Sequence, residues 1–271
     1  IREHGGTMLV RSRVVALHTE GRRITGVELA DGRMLRAKTV ISAIHPAETF
    51  RLIGPTPVIR KAFRERIGSL PDSYGLFSAY LLLKPGRIPY INRNLYYFAG
   101  KDVWKTLFDL EAMRPGMVLL SAQAPDDPAW CDVVTLMTPV ATRPWKAWEG
   151  SAPGRRPEAY TALKAAMTQA TVDFACARLP ELRDAIAHTY AATPLTYRHY
   201  TGAPHGAAYG LLKDWRSIMA SHIPARTKFD NLLLTGQNLT VHGAIGVTLS
   251  AAATCSEIVG TEYLAKKIAN A

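Results

Sequence analysis

Residues 231–260, NLLLTGQNLTVHGAIGVTLSAAATCSEIVG, read as a buried strand, a loop and a helix. Leu232, Leu233 and Leu234 lead through Thr235 into Gly236, and a polar loop then passes His242 and Gly243. From Gly246 an unbroken run of mostly small residues continues through Val247 to Ser256, which suits close packing on a sheet or on a cofactor. This order sets unsatisfied backbone N–H groups and the positive end of a helix beside the carboxyl end of a strand, where an anion or an electron-rich ring edge can be held. Gly236, Gly243 and Gly246 remove side chains where a flat ligand would lie against the backbone. An ordinary glycine loop between a strand and a helix has the same spacing, so spacing alone leaves both readings open.

Outward from this stretch, the 271 residues are 48% hydrophobic, enough for one large core or two modest ones. Cys131, Cys176 and Cys255 are too scattered for a disulfide framework or a zinc site, which makes a reducing compartment the default. His4, His18, His45, His188 and His222 have no metal-ligand spacing, and no metal is expected. Apolar runs such as residues 76–83 are far shorter than the roughly 20 residues of a spanning helix, and residues near Ile1 form no apolar signal region. A cytoplasmic protein is expected, at most peripheral on a membrane. The net charge of +11 is spread along the chain without a nucleic-acid motif, so it reads as a solvated surface and no nucleic-acid partner is expected. One segment stands out: Arg60 to Arg66, beside Ile59, Phe63 and Ile67, has the spacing of an amphipathic basic helix able to rest on an anionic membrane.

Residues 5–41 contain β-type runs broken at Glu20-Gly21 and Asp31-Gly32, which predicts an antiparallel meander ending in a strand at 38–41. Such a meander needs a second layer over its apolar face. Further on, a helix at 58–67 precedes β-runs at 76–83, 95–98, 117–122 and 133–137, which together suggest a mixed or antiparallel sheet. A charged loop at 143–157 leads to a helix at 158–178, whose Tyr160, Leu163, Met167, Ala170 and Phe174 have core spacing. Tyr197, His199 and Tyr200 form a dense polar aromatic cluster, able to donate a proton or simply to anchor a crossover by hydrogen bonds.

Several of these motifs resemble one family. TGQ followed by HGAIGV is similar to the C-terminal flavin-binding motif of the phytoene desaturase, carotenoid isomerase and retinol saturase oxidoreductases, nearest to the retinol saturase branch. Gly5-Gly6, Val14, Gly26-Val27, Asp31-Gly32 and Val40-Ile41-Ser42-Ala43 resemble the middle of the same family's FAD domain, and TPLTYRHYTG with GAAYG resembles its return from the substrate domain. The resemblance implies FAD, with the Val14 backbone at the adenine and Ser42 and Ala43 toward the adenosine and pyrophosphate. It also implies that Tyr209 and Gly210 approach the flavin, that Gly236, His242, Gly243, Ile245, Gly246 and Val247 surround the ring edge, and that Gln237 meets the ribityl or phosphate region. Gln237 stands where many relatives carry an acid, and Ala43-Ile44-His45-Pro46 replaces the family's usual Asn-Ala-Asp-Pro.

On the family pattern the fold is α/β, with α+β elements. Residues 1–50 and 201–271 would supply an incomplete Rossmann-like FAD-binding domain, and residues 51–200 a substrate domain whose sheet walls an apolar tunnel, with Tyr74, Tyr80, Tyr96 and Tyr97 as candidate tunnel aromatics. The family's G-x-G-x-x-G fingerprint, which cradles the pyrophosphate, does not occur in these residues. The expectation is a C-terminal portion that needs the missing N-terminal half and binds FAD weakly or not at all by itself. The implied activity is reduction, desaturation or isomerisation of carbon–carbon double bonds in a lipophilic polyene or isoprenoid. The alternative is an inactive binding or partner module that keeps the same scaffold. A bulky residue at Gly246 is expected to exclude the ring while the chain still folds.

Overall fold

The computed structural model describes residues 1–123 and 129–270. The chain opens with β1 (Val14–Glu20), β2 (Arg23–Leu29), β3 (Met34–Leu35), β4 (Val40–Ser42), α1 (Pro46–Ile53) and α2 (Lys61–Ser69). Then come β5 (Gly75–Leu83), β6 (Leu95–Phe98), α3 (Val103–Phe108), β7 (Met117–Ala122), β8 (Val133–Val140), α4 (Glu158–Cys176), α5 (Glu181–Ala185), β9 (Ile186–Ala192) and α6 (Pro194–Thr201). It closes with β10 (Leu232–Leu234), α7 (Gly243–Val259) and α8 (Thr261–Ala269). These elements form two compact units, residues 1–71 with 209–271, and residues 72–208. The seams fall at 71/72 and 208/209 and not at the expected 50/51 and 200/201, because residues such as Ile53, Ile59 and Ile67 pack into the core of the first unit.

In the first unit, β1, β2 and β3 make the expected antiparallel meander, with Gly21 and Gly32 taking the positive φ that its two turns need. The strand expected to end the meander belongs elsewhere. β4 pairs in parallel with β10, Val40 opposite Leu232 and Ser42 opposite Leu234. The physical reason lies in β10, whose three leucines are all buried and whose backbone needs a partner of its own. Asn231, itself buried, ties this pair to the meander: its side-chain carbonyl accepts from Ile24 N–H at 2.8 Å, and its amide donates to Ile24 O at 2.9 Å. The side chain thus serves β2 as one more strand residue would.

Leu17 and Ile24 from the meander, Phe50 and Ile53 from α1, and Leu232 and Leu234 from β10 share one core. Ile59 and Ile67, 3% and 1% exposed, belong to it as well, with Phe63 packed against it. This corrects the expected membrane contact, since the apolar side of the 58–67 segment is spent on the interior. The arginines follow suit in part. Arg64 donates through both terminal nitrogens to Phe50 O and Gly54 O, closing carbonyls at the end of α1, and burial lowers its pKa. His45 caps the start of α1, its Nδ1 accepting from Ala47 N–H at 3.2 Å. An imidazole here fills a cap position that Ser, Thr, Asp or Asn more often occupies.

The second unit is built on a five-stranded antiparallel sheet ordered β6-β7-β8-β5-β9. One face packs Ala79, Leu81, Val118 and Leu136 against Val172 and Ala175 of α4. Tyr97 turns to this core side. Through the strand register, Tyr80, Tyr96 and Tyr190 stand on the opposite face with Leu82, Leu119 and Met137, where Leu82, Tyr96 and Tyr190 are exposed. Of the candidate tunnel aromatics, Tyr80 and Tyr96 are thus on the open face and Tyr97 is not. At one end of the core, Trp145 packs on Phe77 and Tyr160, with ring centroids 6.4 and 5.9 Å apart.

Candidate functional site

Within the first unit, the carboxyl ends of β4 and β10 lie side by side, and the chain leaving β10 turns into α7. Thr235 N–H donates to Ser42 O at 2.9 Å, and a Cβ on Gly236, whose φ is 96°, would come within 3.4 Å of Ala43 O. The Ser42 hydroxyl is 2.7 Å from that of Thr49. Ala43 is exposed beside it, and Val14 sits half-buried at the start of β1. Gln237 is half-buried in the loop after Gly236.

α7 begins at Gly243, three residues before the expected start, with His242 as its N-cap. Its buried residues are Gly246, Ser250 and Thr254, spaced four apart. Ser250 Oγ accepts from Gly236 N–H at 2.9 Å, and the Thr254 hydroxyl donates to Leu234 O at 2.8 Å, so the helix locks the end of β10 through hydroxyls. A Cβ on Gly246 would overlap the Val241 carbonyl oxygen and stand 2.5 Å from its carbon. The helix therefore turns its small side inward and leaves Ile245, 78% exposed, with Val247, Leu249, Ile258 and Val259 outward.

A second segment, residues 209–213, closes the loop from behind. Leu211 N–H donates to Asn238 Oδ1 at 3.0 Å, and a Cβ on Gly210 would strike that amide. Lys213 Nζ donates to Ser221 O at 2.7 Å, Asn238 O at 2.9 Å and Leu239 O at 3.2 Å, matching three N–H donors to three carbonyls. Burial pulls its pKa down to about 8, yet the three acceptors favour the charged form and keep the clamp closed at neutral pH. Tyr209 stacks on His242, centroids 5.5 Å apart and rings 18° from parallel. His242 Nε2 is 2.8 Å from Leu211 O, so that nitrogen carries the proton and Nδ1 is left as an acceptor when the ring is neutral.

Burial lowers the His242 pKa, the Leu211 carbonyl opposes that shift, and the Lys213 charge adds to it. The unfolded chain, with a histidine pKa of about 6.5, therefore takes up its proton before the folded chain does. Stability contributed here is complete above about pH 6.5 and is lost as pH falls through the lower folded value. Urea midpoints measured at pH 7.5 and 5.5 are expected to show a drop in the wild type that His242→Gln, which keeps a donor for Leu211 O, reduces. An identical drop in both proteins would rule this out.

The structure brings Ser42, Ala43, Tyr209, Gly210, Gly236, Gln237, His242, Gly243, Ile245, Gly246 and Val247 into one unit around the β4 and β10 ends and the start of α7, with Val14 at the edge of the meander. Gly246 makes room for the Val241 backbone, which corrects the expectation that a bulky residue there leaves the chain folded. Lys213, Asn231, Asn238, Ser250 and Thr254 went unread in the sequence. The 246/250/254 spacing was visible there; the others had no local signal. In the second unit the aromatic cluster divides. The Tyr197 hydroxyl is 2.7 Å from that of buried Ser78, whereas His199 and Tyr200 touch edge to face, 4.8 Å apart, on the outer side of α6. Among the described residues no group of three His, Cys, Asp or Glu could hold a metal ion, and no helix is long and apolar enough to cross a membrane.

Chemically, the start of α7 offers backbone N–H groups with no side-chain cap, an approach through Gly243, and a stacked aromatic pair at its N-cap. These features fit the acceptor-bearing edge of a flat cofactor. The class so defined is a mixed α/β chain with a Rossmann-like parallel strand pair that ends in a strand–loop–helix. Comparison with solved structures agrees on the fold: an oxidoreductase from Methanosarcina mazei matches with a TM-score of 0.53 and 14% identity, over 90% of this chain and 49% of that one. No family model matches the chain. Among curated proteins, the all-trans-retinol 13,14-reductase of Macaca fascicularis is 24% identical and that of Rattus norvegicus 26%, each over 284 aligned residues covering 96% of this chain and 46% of the relative. The chain is thus similar to all-trans-retinol 13,14-reductases, in keeping with its retinol saturase-like motifs, and spans about half the length of these relatives.

Proposed function

We propose that this chain forms the C-terminal part of an FAD-dependent oxidoreductase acting on carbon–carbon double bonds of a long apolar polyene or isoprenoid. Similarity to retinol reductases along 96% of the chain carries this reading. The uncapped, glycine-entered start of α7 supports the cofactor, and the open sheet face with Tyr80, Tyr96 and Tyr190 supports an apolar ligand. The remaining length found in the relatives is the proposed partner of the outward apolar face of α7, which buries small and hydroxyl residues and exposes large aliphatic ones.

Bound flavin supplies hydride exchange. The protein's own share is positional. Backbone N–H groups at 243–246 would receive the ring's acceptor edge, with Tyr209 and His242 as a stacked wall. Lys213 holds the loop that sets their geometry, and the outward aliphatic side chains would exclude water once covered.

The test is an absorption spectrum. Protein of the relatives' full length is expected to show flavin bands near about 370 and 450 nm, while the 271-residue chain alone retains little flavin. A colourless full-length protein that also fails to take up added FAD would overturn the cofactor, and stoichiometric flavin on the short chain would overturn the division of the site.

A further inference from the structure

A second concavity lies wholly within residues 72–208. It has a volume of about 370 Å³ and is bordered by α4, α6 and the loop before α4. Arg156 and Lys164 give it positive charge, His199 and Tyr200 give it an aromatic rim, and no carboxylate lines it. It involves none of the residues assigned to the flavin and does not rest on that reading.

Arg156 sets this cavity apart from an ordinary basic surface. Its guanidinium lies over the ring of buried Tyr160, 4.6 Å from the centroid, which holds it in one plane. Nη2 reaches only Leu195 O, at 3.4 Å, and Nη1 is shut off from solvent with no hydrogen-bond partner. Elsewhere in the molecule, Arg22, Arg33, Arg143, Arg183, Arg216 and Arg226 each pair with an Asp or Glu. Arg156 and Lys164 have no such partner among the described residues. A guanidinium with one donor shut off and unbonded, one long bond and no acidic partner keeps an under-compensated charge at the cavity wall, and an anion entering the cavity would offset that charge.

We propose that this cavity binds a small organic oxyanion, a phosphate monoester or a carboxylate, with the anionic group between Arg156 and Lys164 and a flat apolar portion against Tyr200 and His199. The two arms of the ligand use different contacts. Charge and hydrogen bonds come from the basic pair, and the exposed ring of Tyr200 supplies stacking area that a bare inorganic ion cannot use.

The experiment is a calorimetric titration of the 271-residue chain with phenyl phosphate, benzoate and inorganic phosphate. Phenyl phosphate and benzoate are expected to bind saturably and more tightly than inorganic phosphate. Arg156→Gln should weaken phenyl phosphate by at least about tenfold, the scale of a lost charge-assisted bond. Lys164→Gln and Tyr200→Ala should each weaken it several-fold, and Arg155→Gln, one residue away and exposed, should leave it unchanged. Absence of saturable binding by either organic anion overturns the proposal, as does inorganic phosphate binding as tightly as its phenyl ester. Equal losses in Arg155→Gln and Arg156→Gln would mean general charge attraction and overturn it too. Should Arg156→Gln fail to fold, unchanged affinity in both Lys164→Gln and Tyr200→Ala is the overturning result.

Discussion

Gly246→Ala is expected to destabilise the chain by about 3 kcal/mol, the upper range for forcing atoms into a packed site. The added methyl overlaps the Val241 carbonyl, a backbone group without a side chain's freedom to swing aside. Separating α7 from its seat also breaks the two hydroxyl bonds that hold β10, from Gly236 N–H to Ser250 Oγ and from Thr254 to Leu234 O. Loss of flavin in this variant would follow from loss of fold and say little about the ring. Ile245→Asp separates the two effects. Ile245 is exposed, and a carboxylate in the first helical turn is favourable to the helix, so the chain should unfold at an unchanged urea midpoint. The same carboxylate would occupy the N–H groups proposed for the flavin edge, so full-length protein with Ile245→Asp should lose most of its flavin absorption. If Gly246→Ala unfolds like the wild type, the packing account fails; if Ile245→Asp keeps its flavin, the start of α7 is not the ring site.

Asn231→Leu should cost about 2–5 kcal/mol. Leucine keeps the branched skeleton of asparagine, with bulkier methyl groups, but takes away both the acceptor for Ile24 N–H and the donor for Ile24 O, and each orphaned buried group costs roughly 1–3 kcal/mol. Asn231→Asp keeps the acceptor and loses the donor, placing a carboxylate against the Ile24 carbonyl, and should also be destabilising at neutral pH. Chemical denaturation of the three proteins measures this. A change below about 0.5 kcal/mol in Asn231→Leu, the range of ordinary surface substitutions, would show that the bridge between the meander and the parallel pair is dispensable.

The local elements were legible in residues 231–260 and in the runs around them because their causes are local. Three consecutive leucines want burial, glycines at 21 and 32 permit positive φ, and strands 75–83, 95–98 and 117–122 declare themselves by β-branched, aromatic and aliphatic content between breakers. The candidate residues Gly236 to Val247 were legible as one strand–loop–helix for the same reason, since their spacing along the chain is what the backbone geometry requires. Partner choice was another matter. That β4 leaves the meander for β10, nearly 200 residues away, depends on which backbone edge is free once β3 ends, and no neighbour of Val40 records it. The inward turn of Ile59 and Ile67 is likewise a decision of the core: amphipathic spacing says that a face will be covered, and only the packed structure says by what. Lys213 and Arg156 make the sharpest contrast. Both are single basic residues in unremarkable sequence, yet one meets three carbonyls and the other none of the acids, because hydrogen-bond satisfaction is set by atoms that converge from distant segments.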